Sequence, residues 1–549
     1  MTADRKHELR WRTLAVLSLS LVVIGLDNTV LNVALPSLQS DLDLSGSTLQ
    51  WVVDSYMLVF AGLLLAAGNL GDRHGRKRAL QAGLVVFGLA SVAGAFAATG
   101  DQLIAARAVM GAGAALIMPT TLSIIMDVFP QEERGKAIAV WAGMAAIGIG
   151  LGPLIGGTLI ELSSWPAVFW VNVPIIAVAL ALGARYVPES RDPAPGRLDA
   201  PGVALSIAAL GTFVWAVIEA PGRGWTDGLV LAALGAAVVL AALFVLRQRT
   251  AADPLLDLEL FRRRAFTVGS LAISTAFFAM FGMLFLVTQY LQFVQGNSAL
   301  ETGVKMLPVA AGLMMGSGLS HKLNRRIGAP RQIAGALTVL AAALASVLFW
   351  DAGTSYWLVG PFFFVVPFAM ANVMAPGSEA VMSAVPLAKA GVGSAMNDVN
   401  RMVAGALGVA IVGSVASSAY SGRVEDAAAG LPAPAADAAG ESIGAATAVA
   451  AELPARLGDT LTAAAGGAFT DALGIGLVVA AGLALASAAV VLRRLPDARG
   501  SGEGVDAVDG PGVLLEEAPD LDHVPLGVLD VDRPVPAGVL DRSLEAHRA

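Results

Sequence analysis

The stretch TLAVLSLSLVVIGLDNTVLNVALP, Thr13–Pro36, decides what kind of molecule this is. A single charge, Asp27, interrupts it, and at 1.5 Å per residue it is long enough to cross a hydrocarbon core of about 30 Å. A charged segment, Asp4–Arg12, precedes it. The run is too long for the apolar region of a signal peptide and has no clear small-residue cleavage site, so it is expected to stay as a first span.

Outward from this stretch the same pattern recurs along nearly the whole chain. Apolar residues make up 56% of the 549 positions and charged residues only 14%, with a mean hydropathy of +0.70. Soluble domains carry about 25% charged residues, so a string of soluble domains is excluded. Apolar runs predict spans near 13–36, 50–70, 79–98, 102–126, 137–160, 166–187, 199–219 and 228–246, then 265–294, 303–322, 331–350, 356–382, 391–418 and 470–492. Arg and Lys fall in Arg73–Arg78, Arg185–Arg197, Arg247–Arg264, His321–Arg331 and Arg493–Arg494. With fourteen spans and both termini in the cytoplasm, all of these land on the cytoplasmic side of the cell membrane, as basic loops should.

The expected parts are a cytoplasmic N-terminus (1–12), a six-helix bundle (13–187), two additional spans (199–246) and a second six-helix bundle (265–492). An Ala-rich loop (420–468) on the outer face, expected to be partly helical, and a Pro-, Gly- and acid-rich tail (495–549) complete the chain, the tail being expected to be disordered. The halves echo each other. Pro119, Pro130 and Gly135 are mirrored by Pro376, Pro386 and Gly391, and the turn Asp72–Arg78 by Arg325–Arg331. Internal duplication is how many transporters build a cavity that two halves rock around.

Charges inside spans are costly, about 2.5–3.5 kcal/mol for an Asp at mid-bilayer on insertion scales, and so mark candidate sites. Asp27 shares the polar side of span 1 with Asn28 and Asn32; the plainer alternative is a carboxylate that pins helix packing. Asp54, in WVVDSY (51–56), lies near the outer end of span 2 on a stripe with Ala61 and Gly68. Arg107 lies in span 4 beside Gly111 and cannot shed its charge. By depth, Asp27, Asp54 and Arg107 can meet across a shared cavity. Asp398, with Arg401 at i+3, invites a local ion pair. Tyr56 and Phe281, the latter in an aromatic-rich ninth span, are candidate substrate contacts with Asp54 and Asp398. Gly148, Gly152 and Gly156 line one face of span 5, with Pro153 and Gly157 beside them, allowing close helix contact and a kink. No phosphate loop is present, so the energy source is expected to be an ion gradient. With no cysteine and no candidate metal cluster, neither cofactor nor metal is expected.

The turn GNLGDRHGRK (68–77), Arg107 with its glycines, GIGLGPLIGG (148–157), LDNTVLNVALP (26–36) and LFRRRAF (260–266) together resemble the fourteen-span drug/proton antiporters of the major facilitator superfamily, over about residues 13–494. The resemblance implies an all-α membrane fold of two six-helix bundles with two extra central helices. It also implies alternating access and exchange of inward-moving protons for outward-moving drug. By the same resemblance Asp27 and Arg107 serve proton coupling, Gly148–Gly157 the antiport movement, and Gly68, Asp72, Arg73, Gly75 and Arg76 the gating turn. Asp54 matches members that export lipophilic cations. The expected partners are a small hydrophobic or cationic substrate, protons and the bilayer, with no nucleic acid, and a monomer suffices. The alternatives are an exporter dedicated to one endogenous metabolite and, from another class, a nontransporting membrane sensor.

Overall fold

The structure, a computed structural model, describes residues 3–191, 199–251, 254–256, 258–385, 390–428 and 431–496. Its helices are α1 (Ala3–Leu42), α2 (Gly46–His74), α3 (Arg76–Ala95), α4 (Gly100–Val128), α5 (Gln131–Leu162), α6 (Ala167–Trp170), α7 (Asn172–Tyr186), α8 (Ala200–Arg223) and α9 (Gly228–Thr250). They continue with α10 (Arg264–Gln289), α11 (Ala299–Lys305), α12 (Pro308–Ile327), α13 (Ala329–Ala345), α14 (Tyr356–Ser383), α15 (Ala390–Ala428), α16 (Ala433–Glu441), α17 (Ile443–Glu452) and α18 (Ala455–Arg494). The described residues contain no strand. In a bilayer every backbone polar group must be satisfied within the chain, which a helix does by itself.

Counting α6 and α7 as one, thirteen of the described helical segments are long and apolar enough to cross a membrane. The tenth expected span is present as α12, but His321, Lys322, Arg325 and Arg326 crowd its end and keep its composition more polar than the rest. Two expected spans are broken. Pro174 removes a backbone donor in span 6, which divides into α6 and α7 at Val171, and Pro308 starts α12 anew after the short α11. The Ala-rich stretch at 420–468, expected as a loop with some helix, is largely helical. It holds the end of α15, then α16 and α17, and the start of α18. Alanine is the strongest helix former, which favours helix over open loop there. The expected tail lies, from residue 497, outside the described residues.

The packing is duplicated. In the first half α1 lies on α5, α2 and α3 on α4, and α7 on α1 and α3. In the second, α10 lies on α15, α12 and α13 on α14, and α18 on α10 and α13. The paired turns repeat down to the backbone. Gly75 (φ 113°) and Gly328 (φ 85°) each cap the preceding helix through a 2.9 Å bond, to Gly71 O and Asn324 O, and each begins the next one.

The halves join over the part of the helices away from the basic loops. Gln292 donates to Val33 O (2.9 Å), Ser414 to Gln50 Oε1 (3.3 Å), and Gln39 to Ser442 Oγ (2.6 Å). The last of these ties α17 to α1, while Tyr420 and Ser421 on α15 donate to Ala439 O and Gly440 O. The segment of α16 and α17 therefore straps the two halves on that face. The end of α10 away from the basic loops unwinds into a π-helical turn, Tyr290–Val294, which delivers Gln292 to α1. The aromatic α10 is buried nearly all round, between α15, α14 and α18.

The two extra spans, α8 and α9, form a hairpin fastened by Asp199. Its side chain caps α8 at the Gly202 N–H (3.2 Å) and accepts from Arg247 (2.9 Å) and Gln248 (3.1 Å) of α9. Burial alone would raise this carboxyl; the bonds from Arg247, Gly202 and Gln248 together hold it below the usual carboxylate range.

Gly75→Ala is expected to lower the thermal unfolding temperature of the detergent-solubilised protein. A Cβ there would lie 2.6 Å from a Glu189 carboxylate oxygen, and an L-residue at positive φ costs about 1–2 kcal/mol. An unchanged melting curve would show that the turn is not held as described.

Candidate functional site

A buried polar network occupies the core of the first half. Its geometry starts from glycine. At Gly111 a Cβ would lie 2.4 Å from Tyr56 O, so only glycine lets α4 approach α2 this closely. One turn earlier, that contact sets Arg107 against α2. Its Nε donates to Val52 O (3.1 Å), its guanidinium stacks over the Tyr56 ring (4.4 Å), and its Nη1 donates to Asp27 Oδ2 at 2.5 Å. Asp27 and Arg107 are each only 1% exposed. Asn172 donates to the second carboxylate oxygen of Asp27 (3.3 Å) and to Ser91 Oγ (3.2 Å), and Ser91 donates to Phe169 O (2.8 Å). Asn172 reaches both because the break at Val171 turns α7 toward α1 and α3. Breaking a buried pair by removing one partner costs about 3–5 kcal/mol, so the two charges hold each other in place.

Asp54 is not part of this network. It is fully buried, and neither carboxylate oxygen meets a hydrogen-bond donor among the described residues. Gln50, Asp54 and Met57 form one stripe of α2, and that stripe faces α15. Gln50 lies against Gly413 and Ser414, and Met57 against Gly405. Gly405 also meets Phe281 of α10, whose ring stacks on Phe277 (6.1 Å). Asp54 thus lies in the seam between halves, with Phe281 nearby and Arg107 turned to the other side of α2. Asp398 forms the expected local pair with Arg401 (3.2 Å), which also reaches Ser378 and the Phe277 ring.

The glycine face of α5 packs on α1. Gly148 meets Val22 and Leu26, Gly152 meets Thr29, and Gly156 meets Val30. Pro153 cannot donate to Ile149 O; Thr29 Oγ1 supplies the missing bond at 3.0 Å, and the bare Gly152 gives it room. Gly157 turns to the other half, against Ala299. In the turn between α2 and α3, Asp72 pairs with Arg76 (2.8 Å), Gly68 packs on Pro119, and Arg73 is exposed. Glu189, just beyond α7, accepts from the Lys77 N–H (3.1 Å) at the start of α3, while Ser190 O accepts from the Arg76 N–H (2.8 Å). Sequence reasoning missed Thr29, Asn172 and Glu189. A polar residue inside an apolar run was a usable signal for the first two; Glu189 carried none.

Residues 17–409 match the sequence profile of the Major Facilitator Superfamily. The chain belongs to this superfamily. Among curated proteins it is similar to the multidrug efflux pump LfrA of Mycolicibacterium smegmatis, 38% identical over 88% of this chain and 95% of that one. It is also similar to the methyl viologen resistance protein SmvA of Salmonella typhimurium (35%, covering 84% and 93%) and to the tetracenomycin C resistance and export protein of Streptomyces glaucescens (32%, covering 88% and 91%). Among solved structures, a bacterial homologue of the human lysosomal transporter Spinster, in an inward-facing and occupied conformation, superposes with a TM-score of 0.62 at 18% identity. The match covers 88% of this chain and 96% of that one. At that identity the likeness shows the fold alone: this is a multi-span, all-α major facilitator protein.

Thr29→Val keeps the shape of the side chain but strands Ile149 O beside Pro153. It is expected to lower the stability of the purified protein by about 1–3 kcal/mol, the cost of an unmet buried acceptor, whereas Thr158→Val on α5 should change it far less. Equal melting temperatures for the two variants would remove the role given to Thr29.

Proposed function

We propose that this chain exports hydrophobic and cationic drugs or antibiotics across the cytoplasmic membrane in exchange for protons, by alternating access. The observation that carries the reading is the pairing of two unlike acids. Asp27 is neutralised by Arg107 within the first half, and Asp54 stands without a partner in the seam between halves. A buried carboxylate without a partner calls for a positive one, and a proton or a substrate cation each supplies it. The two then compete for one site. Protonation from outside displaces the cation outward, and loss of that proton inside lets the next cation load. Asp27, held by Arg107 and Asn172, is the second proton acceptor, and its protonation loosens the α1–α4 clasp on which the first half is built.

In this reading the basic loops face the cytoplasm, and the halves 13–187 and 265–492 rock about the seam as a monomer. Gly148, Gly152, Gly156 and Gly157 are the surface on which α5 moves, with the Gly68–Arg76 turn as the inner gate. Asp398 with Arg401, together with Phe281, borders the substrate path, while Tyr56 supports Arg107 from the core of the first half. One charge crossing 100 mV gains about 2.3 kcal/mol, enough for nearly fifty-fold concentration before a pH gradient is added. A narrower reading, export of one self-made antibiotic, is favoured by the relatives named for resistance to tetracenomycin C and methylenomycin A.

Inverted vesicles with an acidified lumen test both readings. Adding a transported compound should alkalinise the lumen, and Asp27→Asn should abolish the response. Asp54→Asn should weaken export of lipophilic cations about tenfold, equivalent to 1.4 kcal/mol, and spare neutral drugs. Full pH-driven export by Asp27→Asn would sink the coupling role. Silence across a broad panel, with folded protein present, would leave the dedicated exporter.

A further inference from the structure

On the face away from the basic loops the two halves touch without filling the space between them. Gly157 of α5 rests on the backbone of Ala299, and Gln292 donates to Val33 O (2.9 Å). Beside these contacts lies a cavity of about 470 Å³. Pro36, Ile160 and Glu161 line it from the first half, and Gln292, Phe293 and Asn297 from the second. Small-molecule sites commonly measure about 300–1,000 Å³, so the space suits a ligand and not only water.

Glu161 gives this cavity its preference of charge. Among the described residues its carboxylate takes part in no hydrogen bond and no ion pair. It stands one residue before the end of α5, whose last turn holds no basic residue. The helix dipole is negative there, so a carboxylate destabilises the helix, whereas a cation would stabilise it by about 0.3–1 kcal/mol. A cation beside Glu161 meets the carboxylate and the unbonded carbonyls of the helix end together. The Lys305 ammonium is bonded to Asn297 Oδ1, on the wall from the second half, and not to Glu161. Pro36 and Ile160 add hydrocarbon and Phe293 an aromatic ring, which suit the apolar part of an organic cation.

We infer that this cavity is a second cation site, separate from Asp54, that takes an organic cation with a compact positive head and an apolar body, and that its occupant holds the halves closed on this face. The inference rests on the export reading above, in which this face is the outer one and must open to release drug. Glu161 belongs to one half and Gln292 to the other, so opening parts the walls and takes the site apart. A ligand bound by the closed state alone shifts the balance by 1 + [L]/Kd, about elevenfold at ten times its Kd. Exported cations that accumulate outside therefore slow their own pump.

The chain contains no cysteine, so an introduced one is its sole thiol. Ser37→Cys places a thiol in the cavity wall. Gly228→Cys places one at the start of α9, on the hairpin whose α8 packs on α2 and α15 at the other seam. In right-side-out vesicles both are labelled with an impermeant methanethiosulfonate, with and without external benzyltrimethylammonium. At ten times its Kd this cation should slow labelling at 37 about tenfold and leave 228 unchanged, and adding Glu161→Gln should remove the protection. Export of a neutral drug should slow with the cation outside, recover in Glu161→Gln and stay slowed in Asp54→Asn. Labelling at 37 that is absent, unchanged by the cation, or equally slowed in Glu161→Gln would overturn the site. Inhibition that Asp54→Asn relieves and Glu161→Gln does not would overturn it too, by placing the effect at Asp54. Export without protection removes this cation site alone; protection without export keeps it and removes the export reading.

Discussion

The 2.5 Å bond between Arg107 and Asp27 is the contact around which the first half is organised. Neither charge is tolerable alone in hydrocarbon, so α1 and α4 must lie side by side at one depth and one rotation. The rest follows from holding that geometry. Gly111 lets α2 come close enough for Val52 O and Tyr56 to share the guanidinium, and the break before α7 brings Asn172 to the free carboxylate oxygen. A transporter needs halves that move as bodies. A charge pair inside one half, with every partner from the same half, supplies that rigidity without binding the halves to each other.

The seams obey the opposite logic. Where α5 meets α11 and α12, the contacts are bare backbone: Gly157 on Ala299, the Pro153 carbonyl on Gly303, Gly150 on Ala310. Such surfaces slide or part at small cost, because little side-chain interdigitation has to be undone. The three hydrogen bonds across the halves described above all involve uncharged groups. Duplication gives both seams the same plan. The inserted α8–α9 hairpin, locked through Asp199, breaks that symmetry.

Much of this was legible in the sequence, and the reasons are physical. Membrane spans are read from apolar length, and no tertiary context overrides the need to satisfy the backbone in lipid. Asp27 and Arg107 were legible for the same reason, since a charge there must have a partner, and depth placed them together. Asp54 shared that depth, but which side of α2 it faces depends on helix packing; the chain carries Asp54 into the seam and Arg107 away from it. For the Ala-rich 420–468 stretch some helix was expected but not its extent, because small, polar-flanked runs look like linker until a partner surface is known. Gln39 on α1, 403 residues from Ser442, was that partner. Glu189 was invisible because its work is to accept from the first turn of α3, 112 residues away along the chain.

The separation of the central pair along the chain has a consequence in time. Asp27 and Arg107 lie 80 residues apart, and Asn172 follows Asp27 by 145. Ribosomes add about 5–20 residues per second, so α1 enters the bilayer about 4–16 s before its counter-charge is made. During that interval the nascent helix carries an acid with no protein partner, and Asn28 and Asn32 can bond only back along their own helix, to Ile24 O and Asn28 O. The first span must therefore wait beside the insertion machinery or in a wetted groove until α4 emerges. The half-built bundle is a client for whatever shelters charged helices, and Arg107 is the residue whose synthesis ends that dependence.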